Sequence, residues 1–375
     1  MTANRRPAWV LNVILIGVGI TFALLLVGAA LLLFPQLRPN TIRFTVEMGD
    51  IFYHQAAWMS PPENGKEVLA TYWLEWDQDG FRVPHWRAQD YPVVALGDSF
   101  TEAPNAPKPW PDVLATALEM PVRNLGFRGF GPREEMQSFE IYGQPQEVQT
   151  VVIGFFEGND LSNAYTTRNN EFEPPSAVTD RSMIPTDIAA IPDRDERYPM
   201  QIVINGEISD IALLEGYVWM LNGSYETYRD SRNLALTARN WRAIAEAAPQ
   251  ACVVVAYFPD KSHIYLPYLT AEDQPILMQK TMQTVLDNRD RLIQQPAPEM
   301  TFDLIVANLD HQRNAVAEMA ATGGLPFIDL TPVLAEAAAN GELTYYTYDT
   351  HWNQRGHELA GNAIAAFLES QPCKG

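Results

Sequence analysis

Cysteine and basic residues are scarce in this 375-residue chain. Its two cysteines, Cys252 and Cys373, are too few for a disulfide framework, and neither has the Cys/His spacing of a zinc site. We therefore expect two unpaired thiols, with Cys252 a small core residue of a buried strand. Lysine and arginine number 26 against 46 acidic residues. This balance argues against a nucleic-acid binder, which needs a basic face.

One long apolar run stands at the N-terminus, where residues 8–34 carry no charged side chain. A helix needs about 20 apolar residues to cross a bilayer, so this run predicts a transmembrane signal anchor. Arg5 and Arg6 precede it, which favours a cytoplasmic segment at residues 1–7 and an exported remainder. A cleavable signal peptide is the competing interpretation, although its apolar region is normally shorter.

Beyond a mixed extension at residues 35–90, short apolar runs alternate with helical segments over residues 91–372. Runs of this kind, rich in Val, Ile and Ala, predict a parallel sheet with helices on both faces, and hence a flavodoxin-like α/β fold. Such a sheet places ligand chemistry at the carboxyl ends of its strands. The five predicted strands are 91–96, 122–125, 150–156, 251–258 and 325–330, and helices are expected near 110–118, 133–142, 274–292, 302–321 and 357–368.

An insertion at residues 161–249 separates the third and fourth strands. It contains a hairpin signal at 200–209, with Asn205-Gly206 as a two-residue turn, and a predicted helix at 234–247. Loops at strand ends carry specificity, so the insertion can be a lid beside the site. A peripheral subdomain without contact to a substrate is the alternative.

Polar motifs follow the first three strands in turn. Ser99, in Gly-Asp-Ser, comes after the first strand, where its hydroxyl can face the crevice and its N–H can face an oxyanion. By itself the tripeptide is equally a helix-capping turn. The second strand leads into a glycine-dense loop around Gly129, and the third leads to Asn159, an amide donor or a helix cap.

A histidine follows the last strand. His351 lies two residues after Asp349, just before the C-terminal helix. Imidazole is the natural general base for a serine hydroxyl, and a carboxylate can fix its tautomer. A single histidine is more often structural. We expect a structural role for His263 and a solvated position for His357, and we read Asp98 and Asp160 as acceptors that fix their loops.

The order of these motifs resembles that of the SGNH/GDSL hydrolase family, from Tyr91 to about Leu368. The resemblance implies Ser99 as nucleophile, His351 as base and Asp349 as its partner. It also implies an oxyanion hole made of the Ser99 N–H, the Gly129 N–H and the Asn159 side chain. It brings neither a cofactor nor a metal.

Two positions depart from the family pattern. Glu157 stands where the third block usually has glycine, and Asp349 lies two residues before His351 where the family has three. The resulting Asp-x-His-Trp element is similar to that of alginate-type O-acetyltransferase relatives, although in those it precedes the serine.

The resulting hypothesis is a membrane-anchored serine esterase that acts outside the cytoplasm, in the periplasm or beyond. Its expected partner is an acyl ester, in particular an O-acetylated glycan, which it would deacetylate or use in acetyl transfer. A lipase or lysophospholipase is the enzymatic alternative. A non-catalytic glycan-binding component of exopolysaccharide assembly is the alternative from another class.

Overall fold

A five-stranded parallel sheet organises the protein. The computed structural model describes residues 8–33, 41–47, 68–104, 106–143, 147–164, 175, 200–287, 300–346, 350–370 and 373. The sheet consists of β3 (Val93–Leu96), β4 (Val122–Asn124), β5 (Thr150–Phe156), β8 (Cys252–Phe258) and β9 (Phe327–Asp329). Its order is β4-β3-β5-β8-β9, and every neighbouring pair is parallel. All five predicted strands are confirmed, with ends trimmed by one or two residues.

Both faces of this sheet are buried, which explains why its strands are continuous apolar runs. Alternate residues point to opposite sides. One side contributes Val93, Ala95, Val152, Val254 and Ala256 to one core cluster. The other side contributes Val94, Leu96, Val151, Ile153 and Val255 to a second core cluster.

The helices cover these faces in chain order. They are α1 (Ala8–Leu33), α2 (Ser99–Glu102), α3 (Trp110–Leu118), α4 (Pro132–Ser138), α5 (Asp160–Asn163), α6 (Glu215–Met220), α7 (Tyr225–Arg229), α8 (Arg232–Ala247), α9 (Lys261–Tyr265), α10 (Gln274–Asp287), α11 (Phe302–Thr322), α12 (Thr331–Ala339) and α13 (Gln354–Glu369). A π-helical turn, Phe139–Gly143, extends α4.

Helix starts follow the capping rules that the sequence suggests. Ser231 accepts a hydrogen bond from the Leu234 N–H at the start of α8, and Asn353 accepts one from the Gly356 N–H at the start of α13. The latter cap matters for the site because it fixes the point at which the chain leaves the His351 loop.

Two hairpins accompany the sheet. Near the N-terminus β1 (Thr41–Glu47) pairs with β2 (Val68–Glu75) in antiparallel fashion. In the insertion β6 (Met200–Ile204) pairs with β7 (Glu207–Ile211). The turn between β6 and β7 has positive φ at Asn205 (55°) and Gly206 (82°), which is the type I′ geometry that Asn-Gly favours. The hairpin prediction is confirmed.

The predicted anchor coincides with helix α1. Within α1 the structure describes side chains at residues 15–30 and 33. Across the described part of the chain, no helix meets both the length and the apolarity that crossing a membrane requires. The anchor stays a prediction.

The cysteines correct one expectation. Cys252 and Cys373 form a disulfide, with Cα atoms 5.6 Å apart, although we expected two unpaired thiols. The bond joins the start of β8 to the tail behind α13 across 121 positions of sequence. No local pattern announces such a pair, since each cysteine is isolated in sequence.

Replacing both Cys252 and Cys373 by alanine is expected to lower the free energy of unfolding by about 2–5 kcal/mol, because a long loop is no longer closed in the unfolded chain. Thermal unfolding measured with and without dithiothreitol tests this expectation. Reductant should lower the midpoint of the wild-type chain and leave that of the double variant unchanged. Equal midpoints for wild type and variant without reductant would contradict it.

Candidate active site

Ser99 begins α2 directly behind the end of β3. The preceding Gly97 has φ +149°, and a Cβ there would lie 2.2 Å from Thr101 Oγ1, so the position demands glycine. Asp98 caps the short helix by accepting a hydrogen bond from the Phe100 N–H (2.9 Å). This strand-to-helix turn places Ser99 at the carboxyl edge of the sheet with 9% of its surface exposed.

His351 reaches Ser99 from the other end of the chain. Its Nε2 lies 2.7 Å from Ser99 Oγ, which is hydrogen-bond distance between a base and a nucleophile. The Tyr346 N–H donates to the His351 carbonyl (3.1 Å), and the Phe100 ring packs 4.8 Å from the imidazole. The structure therefore brings together two predicted residues that lie 252 positions apart in sequence.

Asp349, the predicted third member, lies outside the described residues, which break between Tyr346 and Thr350. Its role stays a prediction.

The nucleophile turn is held by polar contacts from the loop after β4. Asn124 Nδ2 donates to the Thr101 carbonyl (2.7 Å), and its Oδ1 accepts from the Gly126 N–H (2.9 Å). Gly126 lies so close to α2 that a Cβ would stand 2.5 Å from Thr101 Cβ and 2.6 Å from Glu102 N. The glycine-dense loop therefore packs directly on the helix that carries Ser99.

Glu102 and Arg128 form a buried ion pair between the same two segments. Arg128 donates to the Glu102 carboxylate from Nε (2.9 Å), from Nη2 (2.5 Å) and from its backbone N–H (2.9 Å). Burial by itself raises the pKa of Glu102, but the adjacent Arg128 guanidinium outweighs burial and lowers this pKa. Sequence reasoning assigned no role to Glu102. An acidic residue three after the serine, with an arginine in the glycine loop, was its only signal.

Arg82 holds the far side of the turn. Its guanidinium donates to the carbonyls of Glu102, Ala103, Ala106 and Pro107. Four carbonyls of one irregular segment thus share one cation, so the segment after α2 has a fixed shape. Arg82 belongs to the extension before the sheet, where sequence reasoning did not look for site residues.

Asn159 and Gly129 lie on neighbouring loops. Asn159 precedes α5, and its Oδ1 accepts no hydrogen bond from the described residues. Gly129 has φ +77° in an exposed turn and follows Arg128 directly. Asn163 joins the loops by donating to the Phe130 carbonyl (3.3 Å). The structure thus groups the predicted oxyanion loops, and their roles stay predictions.

Three buried carboxyls surround this region. They are Asp98 beside Ser99, Asp160 beside Asn159, and Glu135 on α4. Burial raises the pKa of Asp98 to about 6, opposed by the Phe100 N–H, His351 and the Asn159 side chain. Burial and the neighbouring carboxyls raise the pKa values of Glu135 and Asp160 well above their usual range. Asp98 and Asp160 accept backbone N–H groups, so both fix their loops as expected.

Glu135→Gln is expected to stabilise the protein increasingly as pH rises from 5.5 to 8.5, by about 1–3 kcal/mol at the alkaline end. Because its folded pKa is raised, native Glu135 retains a proton that the unfolded chain has released, and stability falls with rising pH. Gln carries no such penalty. Chemical denaturation at both pH values measures the gain. The exposed Glu140, six residues from the end of β5's preceding segment in the same helical region, is the control, since Glu140→Gln should change nothing. A gain independent of pH would contradict the assignment.

Two other histidines are buried. His357 is fully buried against Trp352, at 5.5 Å between ring centroids, and burial lowers its pKa well below the usual range. We expected it to be solvated, and that expectation is wrong because the inner side of α13 faces the core. His263 contacts Glu157 and Asp310, away from Ser99, as a structural role requires. Among the described residues, no group of three or more His, Cys, Asp or Glu side chains could hold a metal ion.

The insertion reaches the site loops. Tyr217 of α6 packs on the Phe156 ring, with 5.4 Å between ring centroids, and a Cβ on Gly158 would lie 3.0 Å from Tyr217 Cδ2. Asn233 of α8 donates to the Leu161 carbonyl (2.7 Å). Because these contacts fall within two residues of Asn159 on either side, the described part of the insertion supports the loop that carries Asn159.

Comparisons with known proteins agree with this geometry. The model of the GDSL-like lipase/acylhydrolase family matches residues 95–359. No curated protein sequence matches the chain. Similar solved structures include phospholipase A1 from Streptomyces albidoflavus, at 13% identity and a TM-score of 0.40, covering 75% of this chain and 99% of that one. An extracellular lipase from Streptomyces rimosus is 15% identical, with a TM-score of 0.40 and coverage of 76% and 99%. The family match spans the sheet and every loop that contributes to the site, so this chain belongs to the GDSL-like lipase/acylhydrolase, or SGNH hydrolase, family.

Proposed function

We propose that this protein is a serine esterase that removes small acyl groups, in particular acetyl groups from O-acetylated carbohydrate, outside the cytoplasm. The observation that carries the proposal is the 2.7 Å contact between Ser99 Oγ and His351 Nε2. Ser99 attacks the acyl carbonyl while His351 takes the hydroxyl proton, and an acyl-enzyme forms. His351 then activates water, which releases the acid and frees Ser99.

The oxyanion that forms during attack needs preorganised donors. The Ser99 N–H, the Gly129 N–H and the Asn159 side chain are our candidates. Their loops are fixed to the nucleophile turn by Glu102–Arg128 and to each other by Asn163, which supports this assignment.

A small acyl group suits the narrow surroundings of the nucleophile. Only 9% of Ser99 and 8% of His351 is exposed. Behind them the rings of Phe100, Phe156 and Trp352 are packed against one another, with centroids 4.1 Å apart for the first two. These aromatic side chains belong to the core, so the described residues favour a short acyl chain over a long one.

Two features support a location outside the cytoplasm. The Cys252–Cys373 disulfide is of a kind that persists in oxidising compartments. Helix α1 has large apolar side chains exposed along its described length, among them Ile16, Phe22 and Leu25, which suits a membrane anchor. The proposed orientation places Arg5 and Arg6 on the cytoplasmic side.

The family also supports a second candidate, since its members are lipases and acylhydrolases. A membrane-tethered lipase or lysophospholipase would use the same Ser99–His351 pair on longer acyl chains. Acetyl transfer to a sugar hydroxyl is a variant of the first proposal, with the sugar replacing water.

The test is hydrolysis of p-nitrophenyl esters from acetyl to dodecanoyl by the purified full-length chain, together with acetate release from an O-acetylated polysaccharide. We expect acetyl esters to be preferred and glycan acetate to be released. A preference for medium chains would establish the lipase alternative. Absence of fluorophosphonate labelling at Ser99, together with glycan binding, would establish a non-catalytic role.

A further inference from the structure

We infer that Glu157, which replaces the glycine usual in this family, is a positioning residue that holds Asn159 in place through a buried bond to His263. The inference rests on the proposed function, because it concerns the oxyanion donor of that reaction. Glu157 follows the last residue of β5 and stands two residues before Asn159. Whatever fixes Glu157 therefore fixes the approach of the chain to Asn159.

Every polar group of Glu157 is engaged. Its carboxylate accepts from Tyr257 Oη (2.5 Å), the Asp260 N–H (2.8 Å) and His263 Nδ1 (2.8 Å). Its N–H donates to the Phe258 carbonyl (3.0 Å), and its own carbonyl accepts from Gln312 Nε2 (2.7 Å). The side chain is fully buried. A glycine could make only the two backbone contacts, so the side chain adds a lock to the end of β8.

His263 supplies the charge that a buried carboxylate requires. Burial lowers the pKa of His263, but the Glu157 and Asp310 carboxylates overcome this effect and raise it to about 10. Its Nε2 faces Asp310 Oδ1 at 3.3 Å, and Asp310 pairs with Arg313 on α11 (2.9 Å). The buried bond is thus connected to the protein surface through one helix.

The residues around Asn159 leave its loop little freedom. Gly158 lies between aromatic rings, where a Cβ would be 2.6 Å from Phe156 Cε1. On the other side Asp160 Oδ2 accepts from the Phe156 N–H (2.6 Å). With both neighbours held, the Asn159 amide can stay preorganised toward the reacting carbonyl, and a small displacement of its loop can cost about two orders of magnitude in rate.

A double-mutant cycle between Glu157 and Asn159 tests the inference. Glu157→Gln keeps the shape and removes the charge. We expect it to lower kcat by about 10–100-fold with KM changed less than about threefold, since an oxyanion donor acts in the transition state. Asn159→Ala alone should cost about 100-fold. In the Asn159→Ala background Glu157→Gln should change kcat by less than about twofold, because there is no amide left to position.

The Cys252→Ala/Cys373→Ala pair is the matched control, because it acts at the opposite end of β8 and should multiply with Asn159→Ala without coupling. If Glu157→Gln does not fold, Tyr257→Phe removes one bond to Glu157 and must show the same loss of effect in the Asn159→Ala background. Equal factors in both backgrounds would overturn the inference while wild-type activity stands. An inactive wild type that is not labelled at Ser99 would overturn the proposed function instead.

Discussion

Turnover of p-nitrophenyl acetate is expected to fall by about a million-fold when Ser99 is replaced by alanine. The replacement removes the only atom placed to attack the carbonyl, Ser99 Oγ, which lies 2.7 Å from His351 Nε2. The oxyanion donors and the binding surface remain, and such remnants typically give about 10³–10⁴-fold catalysis over water. The kcat of the purified variant, measured against wild type, checks the expectation.

The matched control for Ser99→Ala is Ser138→Ala. Ser138 is buried on α4, and its Oγ has no hydrogen-bond partner among the described residues. Its replacement should leave kcat unchanged. Thermal midpoints of both variants should stay close to that of wild type, which separates loss of chemistry from loss of fold. Full activity of Ser99→Ala, with no fluorophosphonate labelling in either protein, would remove Ser99 as the nucleophile.

The sheet was predictable because its physics is local. Each strand is a short run of β-branched and small apolar residues, and burial on both faces requires such a run. Thr150–Phe156 and Cys252–Phe258 lie where the runs place them. The Asn205-Gly206 turn was also predictable, since two successive residues with positive φ favour this dipeptide.

The Ser99–His351 contact was predictable for a different reason. Parallel strands present their carboxyl ends at one edge, so residues that follow successive strands converge whatever their separation in sequence. This topological argument gathers the residues into one region but gives no distances. It therefore could not identify Arg82 or Arg128, whose importance lies in the carbonyl and carboxylate groups they contact.

Pairings between distant, isolated residues lay beyond the sequence. Cys252 and Cys373 have no neighbouring cysteine, and Glu157 meets His263 across 106 positions. His357 was placed in solvent because a lone polar residue on a terminal helix usually faces water, whereas here it packs on Trp352. In each case a tertiary contact decided the outcome against the local preference.

Replacing His351 by glutamine is expected to reduce kcat on acetyl esters by about a million-fold as well, since the nucleophile without its base is as inactive as the base without its nucleophile. Glutamine keeps a polar side chain near Ser99 but cannot accept and return a proton at neutral pH. The double variant Ser99→Ala/His351→Gln should be no worse than either single variant. His85→Gln is the control, since the His85 side chain is exposed and contacts Asp112 only at 3.9 Å.

The same assay decides which carboxylate orients His351. Asp349 is the candidate from sequence, and Asn in its place should cost about 10⁴-fold in kcat by favouring the wrong tautomer. Asp98 is the rival, because its carboxyl is close enough for His351 to lower its pKa. Its oxygen, however, already accepts the Phe100 N–H, a contact that asparagine can also make. We therefore expect Asp98→Asn to cost less than about tenfold. The reverse order would assign the third position of the triad to Asp98.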